Sequence, residues 1–211
     1  MKNSKWIAFL CLAGFMVVFG CVATEPQKIP ENVKLGEFKQ QIPGTQMVIK
    51  TTKKMNTTNK KYLLAEETIK GEAVIVQKEK DAKTGQVYDP ASNNWKGEWD
   101  FENDRYLQQA SPSTNALQFP LFVGKKYSAG FDYSEEGGWS GHVGRTARVE
   151  GIESLNVGDQ AYEVFKIRIV SDGGNIITLW YSPELAYNVK SIFESSQKGT
   201  SQSELVSIKL P

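Results

Sequence analysis

The chain has few of the side chains that catalysis and metal binding use most. It contains 2 cysteines and 1 histidine in 211 residues, and both cysteines, Cys11 and Cys21, lie near the N-terminus. The rest of the chain therefore has no disulfide, no thiolate metal site and no cysteine nucleophile. It must hold its fold by burying apolar surface, and about 170 residues are enough for one domain with its own core.

The chain also lacks a surplus of basic charge. It has 25 lysines and arginines against 24 acidic residues, and removal of the first 20 residues, which include Lys2 and Lys5, leaves 23 against 24. A nucleic-acid-binding protein usually carries a clear basic excess, so that class is not expected. A long apolar run is missing too, because a membrane-spanning helix needs about 20 apolar residues and the apolar run over 6–20 is shorter.

The N-terminus has the layout of a secretory signal peptide. Two lysines precede the apolar run over 6–20, and a small residue, Gly20, stands directly before Cys21. Together with Val18 at the −3 position, this segment resembles the lipobox of bacterial lipoproteins. The resemblance implies cleavage before Cys21, diacylglycerol on its sulfur and an acyl chain such as palmitate on its new amino group.

These features predict a protein anchored in the cell envelope through the lipid on Cys21. The alternatives are an ordinary secreted protein and an uncleaved N-terminal anchor. The resemblance to bacterial lipoproteins implies that Val22 at the second mature position, rather than aspartate, favours sorting to the outer membrane, facing the periplasm, if the host has two membranes. A host with one membrane would keep the protein on the outer face of that membrane. Several acyl chains together bind a membrane firmly, whereas one chain binds only marginally.

The domain organisation follows from a change of pattern after the anchor. We predict a signal peptide over 1–20, a lipidated N-terminus and flexible tether over 21–42, and a β domain over 43–211. The tether is polar and contains Pro26 and Pro30. A flexible chain of that length spans roughly 25 Å.

The region after Pro43 alternates apolar and polar residues as half-buried strands do. Residues 161–170 place Phe165, Ile167 and Ile169 on one face. The turn-forming residues 172–175 and a second alternating run over 176–181 then predict a hairpin. Strand signals at spacings of about 8–12 residues indicate an all-β, antiparallel, single-domain fold: a curved sheet, a sandwich or an open barrel. Residues 60–68 have helix-favouring composition, but their alternation favours a strand. We expect a further turn near residues 198–203.

No coherent catalytic set is visible. His142 is near Ser140, but the segment lacks the glycine–X–serine–X–glycine elbow of serine hydrolases. The acidic residues Asp132, Glu135 and Glu136 do not have the spacing of a calcium-binding loop. We therefore expect no catalytic residue, no metal and no cofactor, and we interpret His142 as a solvent-facing residue at the start of a strand.

Aromatic residues are the enriched chemistry. Strict alternation over 95–101 predicts that Trp95, Trp99 and Phe101 share one strand face, and Trp139 lies in a glycine-rich loop. Such rings could line a site for an apolar ligand or a sugar. They could equally be core residues. Gly97, between the two tryptophans, would let a backbone or a ligand approach closely.

The C-terminal half resembles a known group of exported proteins. Residues 119–127 are similar to a motif of the form LPL-x-VGK-x-W, with Phe119 and Tyr127 in place of the usual leucine and tryptophan. Together with the segments 149–153, 165–167 and 180–183, this motif resembles the uncharacterised TapB-like family of exported bacterial β proteins. The resemblance covers roughly residues 117–210 and implies a β fold, but no catalytic residue.

The sequence thus predicts an envelope lipoprotein that is not an enzyme. Our first hypothesis is a domain that binds an apolar or amphipathic ligand, or an envelope partner such as a lipid, a glycan or a protein. The first alternative is a structural or assembly lipoprotein without a small ligand. The second is a hydrolase of cell-wall or glycan substrates, which would need two carboxylates about 5–10 Å apart across a groove.

Overall fold

Residues 27–211 fold into one closed antiparallel β-barrel in the structure, a computed structural model that describes this part of the chain. Each strand pairs with the next one in the chain, and the last strand pairs with the first. The twelve strands are β1 (Gln46–Lys53), β2 (Asn56–Ile69), β3 (Glu72–Lys78), β4 (Thr84–Tyr88), β5 (Trp95–Asp100), β6 (Arg105–Ser111), β7 (Lys126–Glu135), β8 (Ser140–Val157), β9 (Gln160–Ser171), β10 (Ile176–Ser182), β11 (Tyr187–Ser195) and β12 (Gly199–Lys209).

The all-β, antiparallel, single-domain prediction is confirmed, and the structure adds that the barrel is closed. Closure depends on β1 and β12, which pair from Gln46 with Lys209 to Lys53 with Ser201. These strands are more than a hundred residues apart in the chain, and local alternation carries no information on such a pairing. Closure also removes the unpaired sheet edges that an open barrel would expose.

The alternation in the sequence corresponds to the two faces of the barrel wall. On β9, Phe165, Ile167 and Ile169 are at most 1% exposed and point inward, whereas Arg168 is exposed on the outer face. The predicted hairpin turn over 172–175 is confirmed between β9 and β10. The preference for a strand over 60–68 is also confirmed, because that segment lies within β2.

The turn predicted near residues 198–203 is wrong in its position. The chain turns over 196–198, and β12 already begins at Gly199. Ser201 and Ser203 pair with Phe193 and Ser191 of β11, so the ladder holds these small polar residues in a strand. Strand preference depends strongly on neighbours, and here the pairing outweighs the turn-like composition.

The two ends of the barrel are built differently. At one end, which we call the turn end, short connections over 54–55, 136–139, 172–175 and 196–198 join neighbouring strands. At the other, the plug end, the longer connections over 89–94 and 112–125 fold into the barrel opening. An eight-stranded barrel is filled by its own side chains, so a twelve-stranded barrel has room for such a plug.

Asparagine side chains hold the plug in place. The side-chain amide of Asn94 donates to the Leu117 carbonyl at 2.9 Å, and its oxygen accepts from the Leu117 N–H at 2.8 Å. Asn93 donates to the Lys39 carbonyl at 2.7 Å and to the Tyr181 hydroxyl at 3.2 Å. The two connections, the N-terminal segment and the wall are therefore joined by buried hydrogen bonds.

The described part of the predicted tether, residues 27–42, contacts the plug end. Gly36 and Leu121 exchange both backbone hydrogen bonds, at 2.7 and 2.8 Å. The Gln27 side chain accepts from the Lys126 N–H at 2.8 Å. The chain therefore reaches the barrel at the plug end, opposite to the turn end.

Candidate ligand cavity

A cavity of about 780 Å³ occupies the barrel interior between the plug and the turn end. Its mouth lies at the turn end, where Glu135, Trp139 and Gln197 border it, and its floor includes Asn94 and Leu117 of the plug. The volume is within the usual range of about 300–1,000 Å³ for small-molecule sites. A ligand could therefore enter from the turn end and be enclosed on its other sides.

The cavity wall exposes more apolar than polar surface, and it also carries many polar residues. Strands β5 and β7 to β11 supply most of it through their inward-facing residues. The apolar and aromatic lining residues are Trp95, Leu117, Phe131, Ile169, Ile177, Leu179 and Phe193. Such a wall favours an apolar or amphipathic ligand, because apolar surface gains about 25 cal/mol per Å² on leaving water.

A β-bulge separates the aromatic residues that were predicted to share one face. On β4, Val87 pairs with Gly97 but the next residue, Tyr88, pairs with Trp95, so Lys96 is an extra residue on β5. One extra residue moves the following side chains to the opposite face. Trp95 therefore points into the cavity, whereas Trp99 points to the outer face. The prediction of one face for Trp95, Trp99 and Phe101 is wrong.

Trp99 and Phe101 belong to a separate apolar cluster on the outer face, which we call the outer cluster. Trp99 is 3% exposed and its ring meets Tyr106 edge-on at 4.8 Å between centroids. Lys70 covers Trp99 at 5.6 Å, and Lys78 covers Phe101 at 4.5 Å. The remaining members are Ile69, Val74, Val76 and Val87. These rings are packed against the barrel wall and are not available to a ligand in the cavity.

Gly97 allows close approach of a backbone, as one of the two sequence-based interpretations held. A Cβ atom at this position would lie 2.3 Å from the Gln108 carbonyl oxygen and 2.7 Å from the Tyr106 ring. The neighbouring strand β6 and its tyrosine fill this space. Gly97 therefore serves packing of the outer cluster.

Trp139 lies at the mouth of the cavity, in the turn between β7 and β8. It is 56% exposed and stacks on Tyr133 with 5.9 Å between ring centroids. A Cβ atom at Gly141 would lie 2.6 Å from this ring, so the glycine leaves space for the indole. Of the four predicted ligand-binding residues, Trp95 and Trp139 line the cavity, whereas Trp99 and Phe101 do not.

Arg145 is the main cavity residue that the prediction did not select. It shares the inner, apolar face of β8 with Val143, Ala147 and the buried Val149, which follow one another at every second position. Its guanidinium lies 4.6 Å from the centroid of the Phe131 ring. Burial lowers the pKa of Arg145 below its ordinary value. The sequence signal that could have identified Arg145 is a charged residue among apolar residues at every second position of the strand.

A smaller space of about 200 Å³ adjoins the cavity on the side of β1 to β3. Its wall is polar and rich in tyrosine. The Tyr187 hydroxyl donates to Gln77 at 2.6 Å, and Tyr88 contacts the same oxygen at 3.4 Å. Burial raises the pKa of Tyr88 to about 12 and the pKa of Tyr187 well above its ordinary value. Both phenols are therefore neutral hydrogen-bonding groups at physiological pH.

His142 lies on the outer face of β8, exposed to solvent. Its Nδ1 is 3.0 Å from Asp132 Oδ1, and both side chains are more than half exposed. Its Nε2 lies over Gly130, on the side of Asp132 opposite to the Ser134–Ser140 pair. The nitrogen that would take a proton from a nucleophile therefore points away from Ser140.

Residues 27–211 contain no group of three or more histidine, cysteine, aspartate or glutamate side chains placed to hold a metal ion. Over the same range there is no helix with the length and hydropathy of a membrane span. Cys21, the predicted lipidation site, lies outside the described residues, as does the predicted signal peptide over 1–20.

No family model matches the chain, so the resemblance to the TapB-like family stays a prediction. No curated protein matches it either. Solved structures similar to this chain include two lipoproteins. The hypothetical lipoprotein YmcC from Escherichia coli K12 is 13% identical, with 82% of this chain and 90% of YmcC covered and a TM-score of 0.47. A candidate lipoprotein from Parabacteroides distasonis is 14% identical, with 85% of this chain and 100% of that one covered and a TM-score of 0.42. At these values neither likeness assigns a family or an activity.

Proposed function

We propose that this protein is a lipid-anchored protein of the cell envelope whose barrel binds an apolar or amphipathic ligand and does not catalyse a reaction. The observation that carries the proposal is the cavity of about 780 Å³, closed by the plug, open at the turn end and lined by apolar side chains. A barrel that served only as a structural element would gain stability by filling this space, because cavities cost packing energy.

The proposed anchor is Cys21, on the strength of the lipobox-like segment that ends there. Gln27 already contacts Lys126 at the plug end, and six residues reach at most about 20 Å. A membrane anchor at Cys21 would thus hold the plug end towards the bilayer, with the cavity mouth directed away from it.

Native mass spectrometry of the full chain, purified in a mild neutral detergent, tests the ligand. Ile177 lines the cavity, whereas its neighbour Thr178 points to the outer face and pairs with Arg168. The variant Ile177→Trp fills the cavity, and Thr178→Trp adds the same bulk outside. We expect a co-purified small molecule on the original protein and on Thr178→Trp, and its loss from Ile177→Trp. Equal occupancy in both variants, or none in any protein, would refute the cavity as the binding site.

Mass spectrometry of the N-terminal peptide, taken from membrane-bound protein, tests the anchor separately. We expect this peptide of the original protein to carry acyl chains on Cys21. Cys21→Ser would remove them. An unmodified N-terminal peptide from membrane-bound original protein would contradict lipidation without affecting the cavity.

A further inference from the structure

Arg145 lacks some of the partners that a buried arginine usually has. Its side chain is largely buried, yet its Nε atom has no hydrogen-bond partner. No aspartate or glutamate among residues 27–211 lies within ion-pairing distance of it; the ion pairs of the barrel involve other residues. The ring of Phe131 lies against the guanidinium. The positive charge thus faces the cavity without a counter-charge.

Such an arrangement is costly unless something completes it. Burial of an unpaired charge is strongly unfavourable, and an arginine cannot escape by losing its proton at physiological pH. Proteins usually pair a buried arginine with a carboxylate or a phosphate, whose oxygens match the planar guanidinium. Here the neighbouring space that could hold such an anion is the cavity itself.

The other charged residues around the mouth do not supply the counter-charge. Glu135 borders the mouth and lies against Gly138 of the β7–β8 turn. The Asp172 carboxylate lies against the α-carbon of Gly144, on the face of β8 opposite to Arg145. Lys198 adds a positive charge to the mouth. The guanidinium therefore stays available to a ligand.

We propose that the cavity takes an amphipathic anion, with one carboxylate or phosphate group paired with Arg145 and an apolar part along Leu117, Ile169 and Leu179. This inference rests on the proposed function, since it names the class of ligand for the same cavity. Arg145 would donate hydrogen bonds to the anionic head group of the ligand. Hydrogen bonds of this kind raise affinity by about 10- to 100-fold, which is the contribution expected of Arg145.

Quenching of tryptophan fluorescence by brominated lipids tests this, because Trp95 and Trp139 line the cavity. The probes are dibrominated stearic acid and the matching dibrominated stearyl alcohol, which differ only in the head group. They are titrated into the delipidated full chain in a maltoside detergent, whose neutral head group does not compete for an anion site. Three proteins are compared: the original, Arg145→Met and Arg148→Met. Arg148 is on the same strand but exposed on the outer face.

We expect Arg145→Met to weaken binding of the acid by about 10- to 100-fold and to leave binding of the alcohol unchanged. Arg148→Met should bind both probes like the original protein. Binding of the alcohol by Arg145→Met also shows that this variant is folded. A brominated monoalkyl phosphate, run in parallel, distinguishes a phosphate head group from a carboxylate.

The outcomes separate the two proposals. Equal binding of acid and alcohol by both the original protein and Arg145→Met would overturn the anion inference and leave the cavity as a ligand site. A uniform loss of acid binding in Arg145→Met and Arg148→Met would overturn it as well, because overall charge would then be the cause. Absence of quenching by either probe in the original protein would count against the proposed function itself.

Discussion

The cavity wall and the outer cluster both contain an aromatic ring from the same short strand, β5: Trp95 in the wall and Trp99 in the cluster. They differ in what surrounds the rings. Trp95 is half-buried beside open space and donates its indole N–H to Gln86 at 2.7 Å. Trp99 is 3% exposed, in contact with Tyr106 and covered by Lys70. The first environment can accept a ligand, and the second is already full.

A bulge at a single residue produces this difference. Lys96 forms the bulge, and if it took a regular place in the pairing, strict alternation would put the two tryptophans on the same face. Aromatic residues at alternate positions are therefore weak evidence for a binding site, because their faces depend on the register of the neighbouring strand. The comparison assigns ligand binding to Trp95 and stability to Trp99, and each assignment can be tested.

Insertion of one alanine between Gly97 and Glu98 should have the largest effect. Gly97 would keep its pairing with Val87, but the extra residue would turn Trp99 and Phe101 inward. This change reverses the buried and exposed sets over the rest of the strand. We expect loss of the cooperative unfolding transition, measured by circular dichroism during urea titration.

The substitution Lys96→Ala is the matched control, because it keeps the residue count and removes only the ion pair with Glu72. It should cost no more than about 1 kcal/mol in free energy of unfolding. An insertion variant as stable as this control would show that the register after Gly97 does not determine the face of Trp99.

Trp99→Ala should lower the free energy of unfolding by about 3–5 kcal/mol, the usual cost of emptying a buried tryptophan site. Its affinity for a cavity ligand should remain that of the original protein as long as the variant is folded. Urea denaturation measures the first quantity and titration with the brominated acid the second. A large loss of affinity in the folded variant would mean that the outer cluster takes part in binding.

The loss of stability at high pH should differ between a tyrosine of the inner wall and a tyrosine of the outer cluster. Burial raises the pKa of Tyr88 to about 12, whereas an unfolded tyrosine titrates near 10. Between these values the folded state binds more protons than the unfolded state, so the contribution of Tyr88 to stability is fully present below about pH 10 and is lost as pH rises towards 12. The whole effect is up to about 3 kcal/mol.

Tyr88→Phe should therefore make the loss of stability between about pH 10 and 12 less steep. It leaves the Tyr187–Gln77 hydrogen bond in place. Tyr106→Phe is the control in the outer cluster, where burial also raises the pKa of Tyr106 but the ring is only half-buried; its effect should be smaller. Urea denaturation at a series of pH values measures both. Equal slopes for all three proteins would exclude the buried phenol at Tyr88 as the cause.

Much of the fold was readable from the sequence, because alternation and turn residues are local signals. The β9–β10 hairpin is an example, with both strands and its turn in the predicted places. The closing pair of β1 and β12 and the bulge at Lys96 were not readable, because each depends on a partner strand. The same limit applies to the cavity: two of its aromatic residues were identified, but Arg145 gains its significance only from the space opposite it.

Trp139→Ala should have the smallest effect on stability and a distinct effect on binding kinetics. The ring is 56% exposed, so its loss should change the free energy of unfolding by less than about 0.5 kcal/mol. Because Trp139 stacks on Tyr133 beside the mouth, its removal should widen the entrance and speed both entry and release of the brominated acid by similar factors. Stopped-flow fluorescence of Trp95 measures both rates.

Met55→Ala is the control, since Met55 is 99% exposed in another turn at the same end. Unchanged rates in Trp139→Ala would mean that the indole does not restrict the entrance, while a lower affinity with unchanged entry would mean that it contacts the bound ligand directly.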